Sequence, residues 1–233
     1  MKSDFWYASF FLILAFATAT LSLRGGHYGW LLWPALSWLI VAISYGSGDV
    51  NWYGKTKAGN RNWFCRILLL PYLALLHIIW HLKNWISTEA PYHYILPNLI
   101  VARRLSASEI PANVGFIIDL TAEFLDPPNI RNHPGYICHP ILDAGIEAES
   151  ILLKLIHQTC TEPSKIVLIH CANGHGRTGM VAAIWLLANG KAATPEDAIK
   201  LLKSIRPGIG LSGNQFAIVR NAKRLLDLVA NAS

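Results

Sequence analysis

Between Asp4 and Arg24 the chain runs through 19 uncharged residues, and between Arg24 and Asp49 through 24 more, most of them Phe, Leu, Ile, Ala or Trp. Crossing a membrane takes roughly 20 apolar residues in a helix whose backbone groups bond internally, so each run is long enough. The Arg24-Gly-Gly-His27 link then reads as the turn of a helical hairpin. Two other readings stay open. Lys2 ahead of an apolar run and Ala17-Thr18-Ala19 behind it resemble a cleaved signal peptide, although Asp4 and the second run that follows at once weigh against one. A hairpin buried in a soluble α-helical domain is the other. Trp30, Trp33, Tyr45 and Trp52 suit either interfacial belts or packing. A third apolar run, Ile67 to Leu82, contains Pro71, His77 and His81 and is bounded by Arg66 and Lys83; at 16 residues it is expected to lie in the interface or to form a third span. His77 and His81 stand at i, i+4, but no carboxylate or cysteine joins them, and histidines on a polar face account for the spacing.

From about residue 95 the period changes. Asn98–Ala102, Gly115–Leu120, Gly135–Cys138 and Lys165–Ile169 read as buried strands of a mixed or mostly parallel sheet. Helical runs lie near 146–160, 177–189, 195–205 and 213–230. Ser106-x-x-Glu109 is a capping box for a short turn, Thr194-Pro195-Glu196-Asp197 supplies an N-cap with an N1 proline and first-turn acids, and Ser212-x-x-Gln215 is a second box. The expected organisation is two transmembrane helices (1–48), a basic loop with the third apolar segment (49–94), and an α/β layered domain (95–233).

Composition sharpens this division. The chain is 53% hydrophobic and 15% charged, against roughly a quarter charged in an ordinary soluble domain, which excludes a disordered, highly charged tail protein. Residues 1–48 carry three charges, Lys2, Asp4 and Arg24, whereas residues 91–233 carry 24. The net charge of +6 sits mostly in the first 90 residues. Membrane topology explains it better than a phosphate-tracking patch, so nucleic acid is not an expected partner. Lys55, Lys57, Arg61 and Arg66 against Asp49 place that loop in the cytoplasm by the positive-inside rule.

The chemistry is concentrated in His170-Cys171-Ala172-Asn173-Gly174-His175-Gly176-Arg177-Thr178. A strand precedes this stretch and an apolar helix follows it. A cysteine just before a glycine-containing turn that opens a helix faces backbone N–H groups and the positive end of the helix dipole. That field holds an anion and also favours a thiolate, lowering the cysteine pKa from about 8.5. Arg177 adds a planar fork suited to two phosphate oxygens, and Thr178 a hydroxyl for the sulfur as it leaves. A buried structural cysteine beside a capping turn would explain Cys171 alone, but not the whole pattern.

These residues resemble the cysteine-dependent phosphatases, whose signature His-Cys-x-x-Gly-x-x-Arg-Ser/Thr is matched in full from His170 to Thr178. The stretch from Leu96 to the end is similar in size to the dual-specificity branch. Ile95–Ala102, Gly115–Glu123 and Arg206-Pro207 with Asn214-x-Phe216 are similar to further segments of that branch. Low-molecular-weight tyrosine phosphatases place the loop at the start of their domain; here it comes late. The resemblance implies a central sheet flanked by helices, here preceded by the transmembrane hairpin, and a two-step hydrolysis through phosphocysteine with no metal or other cofactor. It implies Cys171 as nucleophile, Ala172 to Arg177 as the phosphate-binding loop, and His170 as its organiser through hydrogen bonding to the loop backbone. An aspartate some thirty residues upstream is implied as general acid and base, which fits Asp143. Glu147 is the runner-up, Asp126 and Glu123 fit poorly by spacing, and Asp143 could also cap the 146–160 helix. Gln215 reads as a capping-box residue outside the site.

Four cysteines, Cys65, Cys138, Cys160 and Cys171, show no zinc spacing. A thiolate nucleophile suits a reducing compartment, which favours an integral membrane protein with a cytoplasmic catalytic domain. A phosphoprotein carrying phosphotyrosine and phosphoserine or phosphothreonine is the first expected substrate, and a lipid monophosphate such as phosphatidylglycerophosphate the alternative. Lysines that would hold extra inositol phosphates in related enzymes are replaced here by Ala172, Asn173 and His175. A phosphate-binding membrane adaptor is a remote third reading, because Cys171, Arg177 and Asp143 are all present.

Overall fold

The computed structural model describes residues 2–160, 162 and 164–232. The chain divides into two compact units: Met1–Glu89 with Ala122–Leu125, and Ala90–Thr121 with Asp126–Ser233.

In the first unit, α1 (Lys2–Ser22) and α2 (Leu32–Ser47) form a hairpin. The link is longer than a turn, because a 3₁₀ segment, Gly26–Leu31, leads into α2. The hairpin closes on aromatic contacts: Tyr7 stacks on Tyr45 and Phe11 on Trp38. The third apolar run is broken at Leu69 into α3 (Trp63–Leu68) and α4 (Leu70–Ile86). Pro71 lies in the first turn of α4, where its missing N–H costs nothing, so it starts a helix rather than interrupting one. Tyr53 and Tyr72, both buried, meet hydroxyl to hydroxyl at 3.0 Å. Two cations of the basic loop are internally engaged: Lys55 Nζ donates to Phe124 O (2.7 Å) and Arg61 to Ala122 O (2.7 Å).

The second unit is a five-stranded sheet in the order β1-β2-β5-β3-β4. Its strands are β1 (Tyr92–Leu96), β2 (Leu99–Ala102), β3 (Val114–Thr121), β4 (Tyr136–Ile141) and β5 (Ile166–His170). All neighbours are parallel except β1 and β2, which form an antiparallel hairpin. β1 is the strand that the hydrophobic pattern does not reveal: it is an edge strand with one buried position, Ile95. A four-residue helix α5 (Pro128–Arg131) precedes β4. The helices α6 (Glu149–Cys160), α7 (Gly176–Ala188), α8 (Pro195–Ile205) and α9 (Gly213–Ala232) follow. The core is built from Leu99, Val101, Ile118, Val167 and Ile169 of the sheet against Leu152, Ile184, Leu202 and Val219 of the helices. Thr194 caps α8 by accepting from Asp197 N. The Ser106–Glu109 box forms without any helix, Glu109 accepting from Ser106 N (2.8 Å) and pairing with Arg103 (2.7 Å).

Candidate active site

The nine-residue loop leaves the sheet at the C-terminal end of β5, between the parallel neighbours β2 and β3. That edge is where α/β sheets bind ligands. The turn is fixed by Gly174. Its φ is +73°, and a Cβ there would lie 2.5 Å from Ala102 O at the end of β2, so no side chain is tolerated. From the other side the Arg104 N–H donates to Ala172 O (3.2 Å). The guanidinium of Arg206, fully buried, donates to Gly174 O and Asn173 O (3.2 Å each) and to Ala90 O (3.0 Å), and lies 3.0 Å from His93 Nδ1. α7 then begins at Gly176 without a side-chain cap, so its first N–H groups are left for an anion.

Cys171 is buried, and its sulfur accepts the Gly174 N–H at 3.3 Å. Burial pushes the thiol pKa up, yet the Arg177 charge and the Thr178 hydroxyl and N–H outweigh it, so the pKa lies below the ordinary value despite an opposing push from Asp143. Thr178 Oγ1 is buried beside the sulfur. Asn173, His175 and Gly176 are half-buried around the turn and Ala172 is buried.

Arg177 is nearly inaccessible. Nη1 donates to Ile141 O (2.9 Å) and Leu120 O (3.4 Å) at the ends of β4 and β3, while Nη2 pairs with Asp143 Oδ1 at 3.0 Å. The loop after β4 thus brings Asp143 to the same arginine that faces Cys171, and leaves its side chain 58% exposed. Glu147 is placed differently: His139 Nε2 lies 3.3 Å from its carboxylate, and that imidazole, outweighing burial, holds the Glu147 pKa below the usual range.

Further residues absent from the expected site converge behind the loop. His170 Nε2 lies 3.1 Å from Asp126 Oδ2, and Arg104 Nε lies 3.6 Å from Asp126 Oδ1. Asp126, ill-spaced for an acid, is therefore buried against the histidine of the signature. Asp119 accepts from the Thr121 N–H and hydroxyl and from Tyr136 Oη (2.7 Å), and burial together with that carboxylate keeps the phenol protonated. One ligand atom from each of Asp119, Asp126 and His170 lies within 4.8 Å of the others; Asp119 accepts from Thr121 and Tyr136, and Asp126 pairs with His170 and Arg104. Gln215 forms its capping box with Ser212 and also reaches the Asp143 loop, donating to Gly145 O at 3.1 Å. No short-range pattern marks these pairs; a buried Asp in a Gly115–Asp126 strand-and-turn was the one available hint.

Residues 143–219 match the family model described as the Swiss Army Knife protein, DSP-PTPase phosphatase domain. Over 70 residues the chain is 36% identical to human cyclin-dependent kinase inhibitor 3 and 34% to its rat counterpart. Those 70 residues are 29% of this chain, and it spans about a third (33%) of the length of these curated relatives. The fold is similar to PTPMT1 solved in complex with PI(5)P (TM-score 0.54, 17% identity, 60% of this chain and 99% of that one). It is also similar to human DUSP28 (TM-score 0.51, 15%, 60% and 98%) and to Tk-PTP in its active form (TM-score 0.51, 21%, 57% and 97%). Through the unit that carries Cys171, the chain is similar in sequence and fold to the cysteine-dependent dual-specificity phosphatases.

Proposed function

We propose that the chain hydrolyses phosphomonoesters through a phosphocysteine intermediate, as a membrane-anchored dual-specificity protein phosphatase. The observation that carries this is the buried Cys171 sulfur at the uncapped start of α7, whose pKa Arg177 and Thr178 lower. In the first step the thiolate attacks phosphorus, the bond to the leaving oxygen breaks, and Asp143 gives that oxygen its proton. In the second, Asp143 takes a proton from water, the hydroxide forms a bond to phosphorus, and the P–S bond breaks to return the thiolate beside Thr178. Asp143 suits both roles because it is exposed and touches the arginine that faces Cys171, whereas Glu147 is turned to His139, which holds its pKa below the usual range. The α7 N-terminus, the loop N–H groups and the Arg177 fork hold the phosphoryl oxygens, and His170, set by Asp126, fixes the strand end from which the loop leaves.

Anchoring rests on Phe5–Ser22 of α1 and on Gly26–Ser47, α2 together with the 3₁₀ segment before it, each long and apolar enough to cross a membrane. α3 and α4 extend the apolar exterior through Trp63, Phe64, Ile78, Leu82 and Trp85. This exterior favours a second reading, a phosphatase of a lipid monophosphate, in line with a structural neighbour solved with PI(5)P. The test compares the full chain with Cys171→Ser in detergent on para-nitrophenyl phosphate, phosphopeptides and a panel of phospholipids. Turnover confined to the Cys171 enzyme is expected, with phosphopeptides cleaved; unchanged turnover in Cys171→Ser overturns the mechanism. Cleavage of one lipid with phosphopeptides untouched overturns the protein reading. A reporter fused to the C-terminus that works in the cytoplasm is expected, and one working only outside it refutes the two-span topology.

A further inference from the structure

Asp143 sits on a turn with little intrinsic preference for its shape. Ala144, the next residue, has φ +57°, a conformation disfavoured by any residue with a Cβ. Gly145 closes the turn by donating its N–H to Leu142 O (2.9 Å), and a Cβ at Gly145 would lie 2.9 Å from that same oxygen. Such a turn persists only when its surroundings over-determine it.

One buried side chain does this from the far end of the chain. Gln215 is 2% exposed. Its Oε1 accepts the Ser212 N–H (3.2 Å), which leaves Nε2 to donate to Gly145 O (3.1 Å). The amide cannot be reversed without setting N–H against N–H and oxygen against oxygen. The same amide abuts the phosphate loop: a Cβ at Gly176 would lie 3.2 Å from Oε1 and 3.4 Å from Nε2. Gln215 therefore touches both loops that the reaction must align.

We propose that Gln215 is a positioning residue that locks the strained Asp143 turn at a fixed distance from the Cys171 loop, so that protonation of the leaving group depends on its Nε2–H donor. This rests on the phosphocysteine reading with Asp143 as acid. Gln215→Glu separates this role from helix capping, since a glutamate at N3 still accepts the Ser212 N–H but offers no donor to Gly145 O.

The experiment measures kcat/KM of the full chain in detergent on aryl phosphates of increasing leaving-group pKa. For Gln215→Glu the loss should grow with leaving-group pKa, reaching about tenfold or more on phenyl phosphate, part of the range general acids contribute. It should be small on a dinitrophenyl ester. In an Asp143→Asn background Gln215→Glu should add nothing, because the proton it positions is gone. Ser212→Ala, which weakens the cap and keeps the tie, should leave the leaving-group dependence unchanged. Ala144→Gly, which relaxes the turn without touching α9, should shift it in the same direction as Gln215→Glu and keeps the test alive if that variant folds poorly. A loss equal across all leaving groups, or one that persists in Asp143→Asn, overturns the proposal. A Cys171→Ser enzyme as active as wild type would instead overturn the reading on which it rests.

Discussion

In the N-terminal unit α1 leaves Phe5, Trp6, Ile13 and Phe16 more than 60% exposed, whereas α7 of the catalytic unit buries every residue from Arg177 to Leu187. Both helices are strongly apolar, so composition does not separate them. Length and surroundings do. α7, with 13 residues, is about 20 Å long at 1.5 Å per residue, too short for a hydrocarbon core of roughly 30 Å, and it is enclosed by the sheet, α6, α8 and α9. α1, with 21 residues, has the required length, and Phe5, Trp6, Ile13 and Phe16 point outward from it. The buried polar groups differ as well. In the first unit they include a tyrosine pair, Tyr53 with Tyr72, and the charged Lys55 and Glu123; in the second Arg177, Arg206, His170 and Asp126 converge on one loop. Buried charge thus occurs in both units, but in the second it is gathered around the site of chemistry.

The strongest way to break that contrast is to remove a buried charge. Arg177→Met leaves burial to act on Cys171 without the guanidinium that opposes it. Phosphatase activity should fall on the order of 10³-fold, the scale of losing a preorganised charge donor. The sign for the thiol is upward: the midpoint of the pH dependence of Cys171 alkylation by iodoacetamide should rise relative to wild type. A midpoint that stays in place would show that the thiolate is held by the helix terminus and Thr178 alone. Asp143→Asn is expected to lower turnover of poor leaving groups at least about 100-fold without moving the alkylation midpoint upward, since the Asp143 charge opposes the thiolate. A smaller loss would transfer the acid role to Glu147.

How far these residues were legible follows from the range of their contacts. The strand, turn and helix from Lys165 to Asn189 declare themselves locally, because an apolar run, a glycine turn and an apolar helix are consecutive in the chain. Asp143 was reached through its spacing in a resemblance, and its contact with Arg177 is one the spacing could not contain. Arg206 was legible only as a motif residue; its ties to Gly174, Asn173 and Ala90 span up to 116 positions. Asp126 and Gln215 were set aside because each has an ordinary local role by spacing, a poorly placed acid and a capping box, while their partners His170 and Gly145 are brought in by the sheet order and by the packing of α9. β1 stayed hidden because an edge strand buries too little to leave a period.

Arg206 gives a stability test of the same contrast. Arg206→Met strands the carbonyls of Gly174, Asn173 and Ala90 in a buried place. The cost should be roughly 3–4 kcal/mol, as each unmet buried polar group costs about 1–3 kcal/mol before relaxation. Thermal unfolding followed through the catalytic unit should show it as a lower midpoint. An unchanged midpoint would mean that the phosphate loop is held by Gly174 and the Arg104 N–H without the arginine.

The smallest effect on the fold, and the one that sharpens the contrast most, is expected from Phe16→Lys on α1. Phe16 is 72% exposed, so if water covers α1 the lysine is an ordinary surface residue, with a stability change within about 0.5 kcal/mol and a gain in solubility. If lipid covers it, a lysine near the helix centre costs about 2.5–3.5 kcal/mol of insertion free energy, and its effect should be confined to the membrane. Phe16→Lys should therefore reduce the fraction retained in membranes after alkaline carbonate extraction, while turnover per folded molecule in detergent stays at the wild-type value, since the site is built from residues of the other unit. Full retention of Phe16→Lys in the pellet, or a monodisperse wild-type chain without detergent, would mean that the exposed aromatic side chains of α1 do not face lipid, and that the two apolar helices differ in length without differing in solvent.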